Sequence, residues 1–183
     1  MTFVDRYLQR WRFSKVRPYL RPTSRVLDIG SADGALYKYH PQVARFVGVD
    51  PDAENVRQLG PSAQLLRGFF PDVLKSDEVF DVMAMLAVLE HVPPDAQGPL
   101  ARACFEHLAP GGVLVITVPS PVVDRILDVL IALRLVHGMA VEQHYGFEAA
   151  QTPAIFGTAG LSLVEARRFQ VGVNNLFVFR KPA

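Results

Sequence analysis

The chain reads as an α/β protein built on a mainly parallel sheet, and three observations carry that reading. Short apolar segments (VLDI, RFVGVD, AQLL, FDVMAML and GGVLVITVP) alternate with amphipathic stretches, the pattern of strands joined by helical crossovers. The first segment runs into a glycine-bearing turn, Gly30 to Gly34, before a short helix begins at Ala35. The second ends on an acid, Asp50, twenty residues after Gly30. At 183 residues the chain matches one domain, taken here as residues 1–183.

The N-terminal stretch MTFVDRYLQRWRFSK is too charged for a signal peptide and predicts a helix within residues 1–22. Its Phe3, Tyr7 and Trp11, with Val4 and Leu8, form an apolar stripe. Seven basic residues and one acid lie between Met1 and Arg25, against twelve basic and seventeen acidic afterwards. Two readings follow: a helix packed beside the first strand with a solvated basic face, or one that rests on an anionic membrane or a phosphorylated acceptor. After Pro119 the alternation changes. The segment Val122 to His137 predicts a long helix, apolar around most of its circumference, and Phe147 to Ala159 a second helical stretch. LSLVEARRFQVGVNNLFVFRKP then predicts two strands turning near Gly172.

Composition sets outer limits. Half the residues are apolar and the net charge is +1, which argues against disorder and against a generic nucleic-acid binder. No apolar stretch approaches the ~20 residues that span a bilayer. The single cysteine, Cys104, excludes an internal disulfide and is expected to fill the core, in keeping with a cytoplasmic protein.

The turn and the acid narrow the ligand. A carboxylate ending the second strand accepts hydrogen bonds from both ribose hydroxyls of an adenosine-type cofactor. A dinucleotide site wants glycine at three places where this chain has Gly30, Ala32 and Ala35. Asp28 would also repel a pyrophosphate, whereas it suits the ammonium and sulfonium end of S-adenosylmethionine. Each residue has a plainer role: glycine turns commonly follow strands, and Asp50 before Pro51-Asp52 can simply cap a helix.

VLDIGSADG, VGVDPD, FDVMAMLAVLEHVP and LAPGGVLVITVPS, in that order, resemble the motifs of class I S-adenosylmethionine-dependent methyltransferases, and the resemblance covers nearly the whole chain. It implies a three-layer Rossmann-like methyltransferase fold, with a seven-stranded, mostly parallel sheet whose last strand is antiparallel. It implies that Asp28, Gly30 and Gly34 line the methionine part of the cofactor and Asp50 the ribose, with Ser31, Ala32, Pro51 and Leu86 completing the set. The family usually has glycine where Ala32 stands, and often an acid facing adenine where this chain has Phe69. An aromatic or backbone contact from Phe69 is expected instead, with Asp72 as the polar alternative and Phe70 as core.

Methyl transfer to a hydroxyl requires a base, and two histidines are candidates. His91 follows the FDVMAML strand at the carboxyl edge of the sheet, where ligands of open α/β folds bind. His144 follows the long helix. A structural or substrate-orienting role competes with catalysis at both. His107 is explained by a helix C-terminus, and His40 and His137 give no signal. Some relatives with a similar L-E-H segment bind a metal through additional acids just before it. Here Met85-Leu86-Ala87-Val88 precede Glu90 and His91, so no metal is expected. The resemblance makes residues 120–147 an acceptor-side insertion or lid, with Ile126, Leu130 and Leu133 as roof and Tyr145 as a polar contact. An apolar or lipid-linked small-molecule acceptor, in a monomer or homodimer, follows from that reading; burial of the 122–137 helix in a core or dimer interface competes with it. The functional expectation is S-adenosylmethionine-dependent methyl transfer to a small-molecule or lipid- or sugar-linked acceptor by in-line displacement, with a catalytically silent S-adenosylmethionine-binding or interaction protein as the alternative.

Overall fold

The structure is a computed structural model that describes residues 3–53, 57–120 and 147–183. The 122–137 helix and His144 therefore lie outside the described residues. The elements are α1 (Phe3–Val16), β1 (Arg25–Ile29), α2 (Ala35–Tyr39), β2 (Arg45–Asp50), β3 (Arg57–Gly60), β4 (Ala63–Arg67), β5 (Phe80–Leu86), α3 (Pro94–His107), β6 (Leu108–Pro119), α4 (Thr152–Thr158), β7 (Ser162–Phe169) and β8 (Asn174–Arg180). Single 3-10 turns occupy Arg17–Tyr19, Leu89–His91 and Ala149–Gln151.

All eight strands join one sheet in the order β3-β4-β2-β1-β5-β6-β8-β7. The five central strands run parallel, and β8 inserts antiparallel between β6 and β7. Seven of these are the expected strands. The eighth, β3, forms an antiparallel edge hairpin with β4; four residues, RQLG, carry too little apolar alternation to announce it. FDVMAML is consequently β5 rather than the fourth strand.

The central strands are buried on both faces, which is why they read as continuous apolar runs. One face packs Leu27, Val47, Met83, Leu114 and Phe179 against Cys104 of α3 and Phe156 of α4. The other packs Val26, Phe46, Val82, Val115 and Val178 against Phe13 and Val16 of α1 and Leu36 of α2. A fully buried side chain of this size contributes about 1.5–3 kcal/mol, so both layers are held firmly. Cys104 is fully buried in the core, where the low dielectric pushes its thiol pKa up.

Three elements differ from expectation. The N-terminal helix ends at Val16, because Pro18 forces a 3-10 turn. Its packed face comprises Phe13, Val16 and, from the Tyr7 stripe, Trp11, whereas Tyr7 itself is 57% exposed. The helix predicted from Phe147 starts only at Thr152, with Pro153 in its first turn. The strand predicted from Gly111 begins at Leu108. Lys181 Nζ donates to the carbonyls of Phe105 (2.7 Å) and Leu108 (2.8 Å), closing the C-terminus of α3 against that strand.

Candidate functional site

Three left-handed residues build the turn after β1: Gly30 (φ +74°), Ala32 (φ +48°) and Gly34 (φ +74°). A Cβ on Gly30 would collide with Cγ2 of Val88, beyond the end of β5, and one on Gly34 with Cδ1 of Leu59 in β3. Glycine is thus required at Gly30 by close approach to the β5 tip, and at Gly34 by the unexpected hairpin. Ala32 carries a methyl in a conformation that costs an L-residue roughly 1–2 kcal/mol, and it is held there. Its N–H donates to Asp50 Oδ2 at 2.7 Å. Ser31 is buried, with its Oγ against Gly48 of β2, where any side chain would displace it.

Asp50 therefore ties the turn to β2. Its Oδ1 accepts from the Asp52 N–H at 2.9 Å. Two hydrogen bonds leave about half of a carboxylate's roughly four acceptor sites open. The plainer role, fastening backbone, and the ligand role are compatible on one side chain.

Asp28, the penultimate residue of β1, is 4% exposed. Burial chiefly, and the neighbouring Asp50 carboxylate secondarily, push its pKa from 3.8 to about 8. At neutral pH the group is mostly protonated, and a cation arriving beside it would draw the proton off.

At this carboxyl edge lies a cavity of about 700 Å³, bounded by Gly30, Pro51, Phe69, Phe70, Val88, His91 and, along α3, Ala96, Leu100 and Arg102. The loop after β4 forms its far wall, pinned by the Gly68 N–H on the Asp50 carbonyl (3.1 Å). Phe69 is 69% exposed and faces the cavity, whereas Phe70 packs edge-on against His107, ring centroids 5.5 Å apart. Asp72 shares the wall and is exposed. His91, exposed on its 3-10 turn, donates its backbone N–H to Val88 O at 2.9 Å. Gly30, Pro51, Phe69 and His91 thus meet at one cavity, with Asp28 and Asp50 at the strand ends beneath. Leu86 packs in the core on the α1 side.

Sequence reading missed Val88, the wall opposite Gly30, and it missed Arg12. The Arg12 guanidinium of α1 lies close enough to the buried Glu90 for the carboxylate to oppose the downward pull of burial on its pKa. No local signal links residues so far apart in sequence. His107 Nδ1–H donates to Glu78 O at 2.7 Å, which fixes it as a structural residue at the end of α3.

Strand order, left-handed turn and paired strand-end acids define the class: a Rossmann-like S-adenosylmethionine-binding fold. The chain belongs to the methyltransferase-domain family, whose model matches residues 2–166. It is 30% identical over 153 residues to a probable S-adenosylmethionine-dependent methyltransferase of Mycolicibacterium smegmatis, covering 78% of this chain and 59% of that protein. It is 31% identical over 106 residues to a ubiquinone biosynthesis O-methyltransferase of Psychrobacter cryohalolentis, covering 51% of this chain and 40% of that one. The chain thus spans about half the length of these curated relatives. Among solved structures, the 1,6-didemethyltoxoflavin-N1-methyltransferase of Burkholderia thailandensis, with bound 1,6-didemethyltoxoflavin and S-adenosylhomocysteine, superposes with a TM-score of 0.70 at 19% identity over 95% of this chain and 78% of that one. The described residues fit S-adenosylmethionine, which the first of these relatives is named for using: a buried, raised-pKa carboxyl for a cationic amino acid end, a half-satisfied carboxylate for a ribose, and an exposed aromatic for a base.

Proposed function

We propose that this protein transfers a methyl group from S-adenosylmethionine to a small-molecule acceptor carrying an apolar part, as a cytoplasmic enzyme. The observation that carries this reading is the cavity joining Gly30, Phe69 and His91 at the carboxyl edge of the sheet, the edge to which β1 and β2 bring Asp28 and Asp50. When bound, the cofactor supplies an electrophilic methyl on a sulfonium. Asp28, ionised by the incoming charge, holds the ammonium end; the open lone pairs of Asp50 take the ribose hydroxyls; Phe69 stacks on adenine.

The β5 tip, Val88 to His91, forms the wall from which the acceptor approaches. With the cofactor bound, an acceptor there would receive its methyl, and the proton lost by the acceptor would need a base. His91 is the imidazole of the described site placed to receive or orient that proton, with the carboxylates of Asp72 and Glu106 in the same cavity wall. Residues 121–146, with His144 and Tyr145, lie outside the described residues; exclusion of water from the acceptor and its orientation are the main sources of rate. Similarity to a relative named for O-methylation in ubiquinone biosynthesis supports an apolar or lipid-linked acceptor.

The test is binding followed by turnover. Calorimetry is expected to show S-adenosylmethionine and S-adenosylhomocysteine binding with NAD silent, and a panel of phenolic and quinol acceptors to yield methylated product that His91→Ala reduces without weakening cofactor binding. A clear NAD isotherm would overturn the reading.

A further inference from the structure

At the opposite, amino-terminal edge of the sheet the molecule carries a second concavity of about 480 Å³, whose walls include Arg17, Arg21, Tyr39, His40 and Gln42 and, among the described residues, no carboxylate. It lies where the chain enters β1 and β2, so it is separate from the cofactor cavity at the other strand ends. The basic N-terminal stretch is accounted for unevenly. Arg25 is paired with Asp81 (3.0 Å), Arg12 faces Glu90, and Lys15 sits over the rings of Trp11 and Phe169. Arg17 and Arg21 are both exposed and have no ion pair among the described residues. Burial chiefly lowers the pKa of His40, its Nε2–H bond to the Phe13 carbonyl (3.4 Å) opposes that, and the charge of nearby Arg17 adds to the lowering, so that Nδ1 is the ring atom left for a ligand.

The backbone that presents these groups is rigid. Pro18, Pro22 and Pro41 fix their φ angles. The Arg21 N–H donates to Ser24 Oγ (3.0 Å), and the Ser24 N–H returns to Arg21 O (2.9 Å). The Leu20 N–H donates to Arg17 O (3.2 Å), and the His40 N–H to Leu36 O (2.9 Å). Two guanidinium forks held on a fixed frame around a concavity, with like charge and no counter-charge in its walls, are matched by an oxyanion that accepts several hydrogen bonds at once. A carboxylate offers two oxygens to this set and a phosphoryl group three. The volume leaves room for the group that carries the phosphate.

We propose that Arg17, Arg21 and His40 form a phosphoryl-anion site on the pole opposite the cofactor. It goes beyond the methyltransferase reading and does not depend on it. The phosphoryl group belongs to a soluble phosphate ester or to the headgroup of an anionic phospholipid, and the two sources separate by experiment. Calorimetry with inorganic pyrophosphate probes the first. Flotation with phosphatidylcholine vesicles, with and without phosphatidylglycerol, probes the second. Wild type is expected to bind at least one probe saturably, with the His40 ring resonances shifting on addition. Arg17→Ala/Arg21→Ala is expected to weaken that binding at least tenfold, while its unfolding temperature and its affinity for S-adenosylhomocysteine stay at wild-type values. Pyrophosphate binding identifies the soluble source, and flotation dependent on phosphatidylglycerol identifies the headgroup. Wild type binding neither probe, or the double variant binding as wild type does, would overturn the site. Loss of S-adenosylhomocysteine binding by wild type would instead count against the methyltransferase reading alone.

Discussion

The two ends of the same central strands are built on opposite terms. At the amino end, the charged residues that start β1, β2 and β5 close on one another, while Arg17 and Arg21 beside them have no ion pair among the described residues. Arg25 grips Asp81 through its backbone N–H (2.8 Å) and guanidinium (3.0 Å), Arg45 pairs with Glu78, and the His107 ring is fixed to Glu78 O. At the carboxyl end the chain holds a buried acid pushed to about pH 8, three left-handed residues within five, a further one at Ala87 (φ +60°), and an exposed phenylalanine. None of these stabilises the empty protein. Strain and desolvated charge concentrated at one end of an otherwise well-packed sheet mark the end that a ligand completes.

The largest effect that sharpens this contrast is expected at Asp28. Asp28→Asn should weaken S-adenosylmethionine binding by about 1.5–3 kcal/mol, the worth of a charged hydrogen bond, while raising the unfolding temperature of the free protein above pH 7. Calorimetry and thermal melts read both; a fall in stability would place Asp28 among the structural residues instead. The same carboxyl sets a pH dependence. Below its ordinary value of 3.8 it is protonated whether folded or unfolded and contributes nothing. Between 3.8 and about 8 the unfolded chain releases the proton and the folded one keeps it, so stability falls as pH rises through that window. Cofactor affinity should move oppositely, rising from pH 6 to 8. Urea midpoints across pH test the first trend, and isotherms the second.

Next is Gly30→Ala. The left-handed φ alone costs about 1–2 kcal/mol, and the Val88 collision adds to it, so both unfolding midpoint and cofactor affinity should drop. Ala32→Gly works in the other direction: relief of strain, offset by the ~0.5–1 kcal/mol of glycine's added chain entropy, leaves a small gain in stability. The smallest effect belongs to the amino edge. Arg25→Ala removes an ion pair whose side chains are 42% and 39% exposed, worth at most about 1 kcal/mol, and should leave cofactor affinity unchanged. A large loss of affinity there would break the distinction between the two ends.

The halves of the molecule were unequally legible in sequence. The central strands announce themselves because burial on both faces demands unbroken apolar runs bounded by glycine or proline. The left-handed turn is visible through Gly30 and Gly34. What stayed hidden depends on contacts distant in sequence: the β3 hairpin whose Leu59 explains Gly34, the Asp50 bond that holds Ala32, Val88 opposite Gly30, and Arg12 reaching Glu90. On α1, Trp11 of the Tyr7 stripe packs on the same core as Phe13 and Val16 while Tyr7 stays exposed, and how far along an apolar face the packing reaches is set by the partner surface, Val26 with Phe46.

The central claim is that Asp28 is held protonated and surrenders its proton to make room for the cofactor's positive charge. Calorimetry of S-adenosylmethionine binding at pH 7, repeated in buffers of different ionisation enthalpy, counts protons directly. The account predicts net release approaching one proton by the wild type and none by Asp28→Asn. No release by the wild type, together with undiminished affinity in the variant, would contradict it.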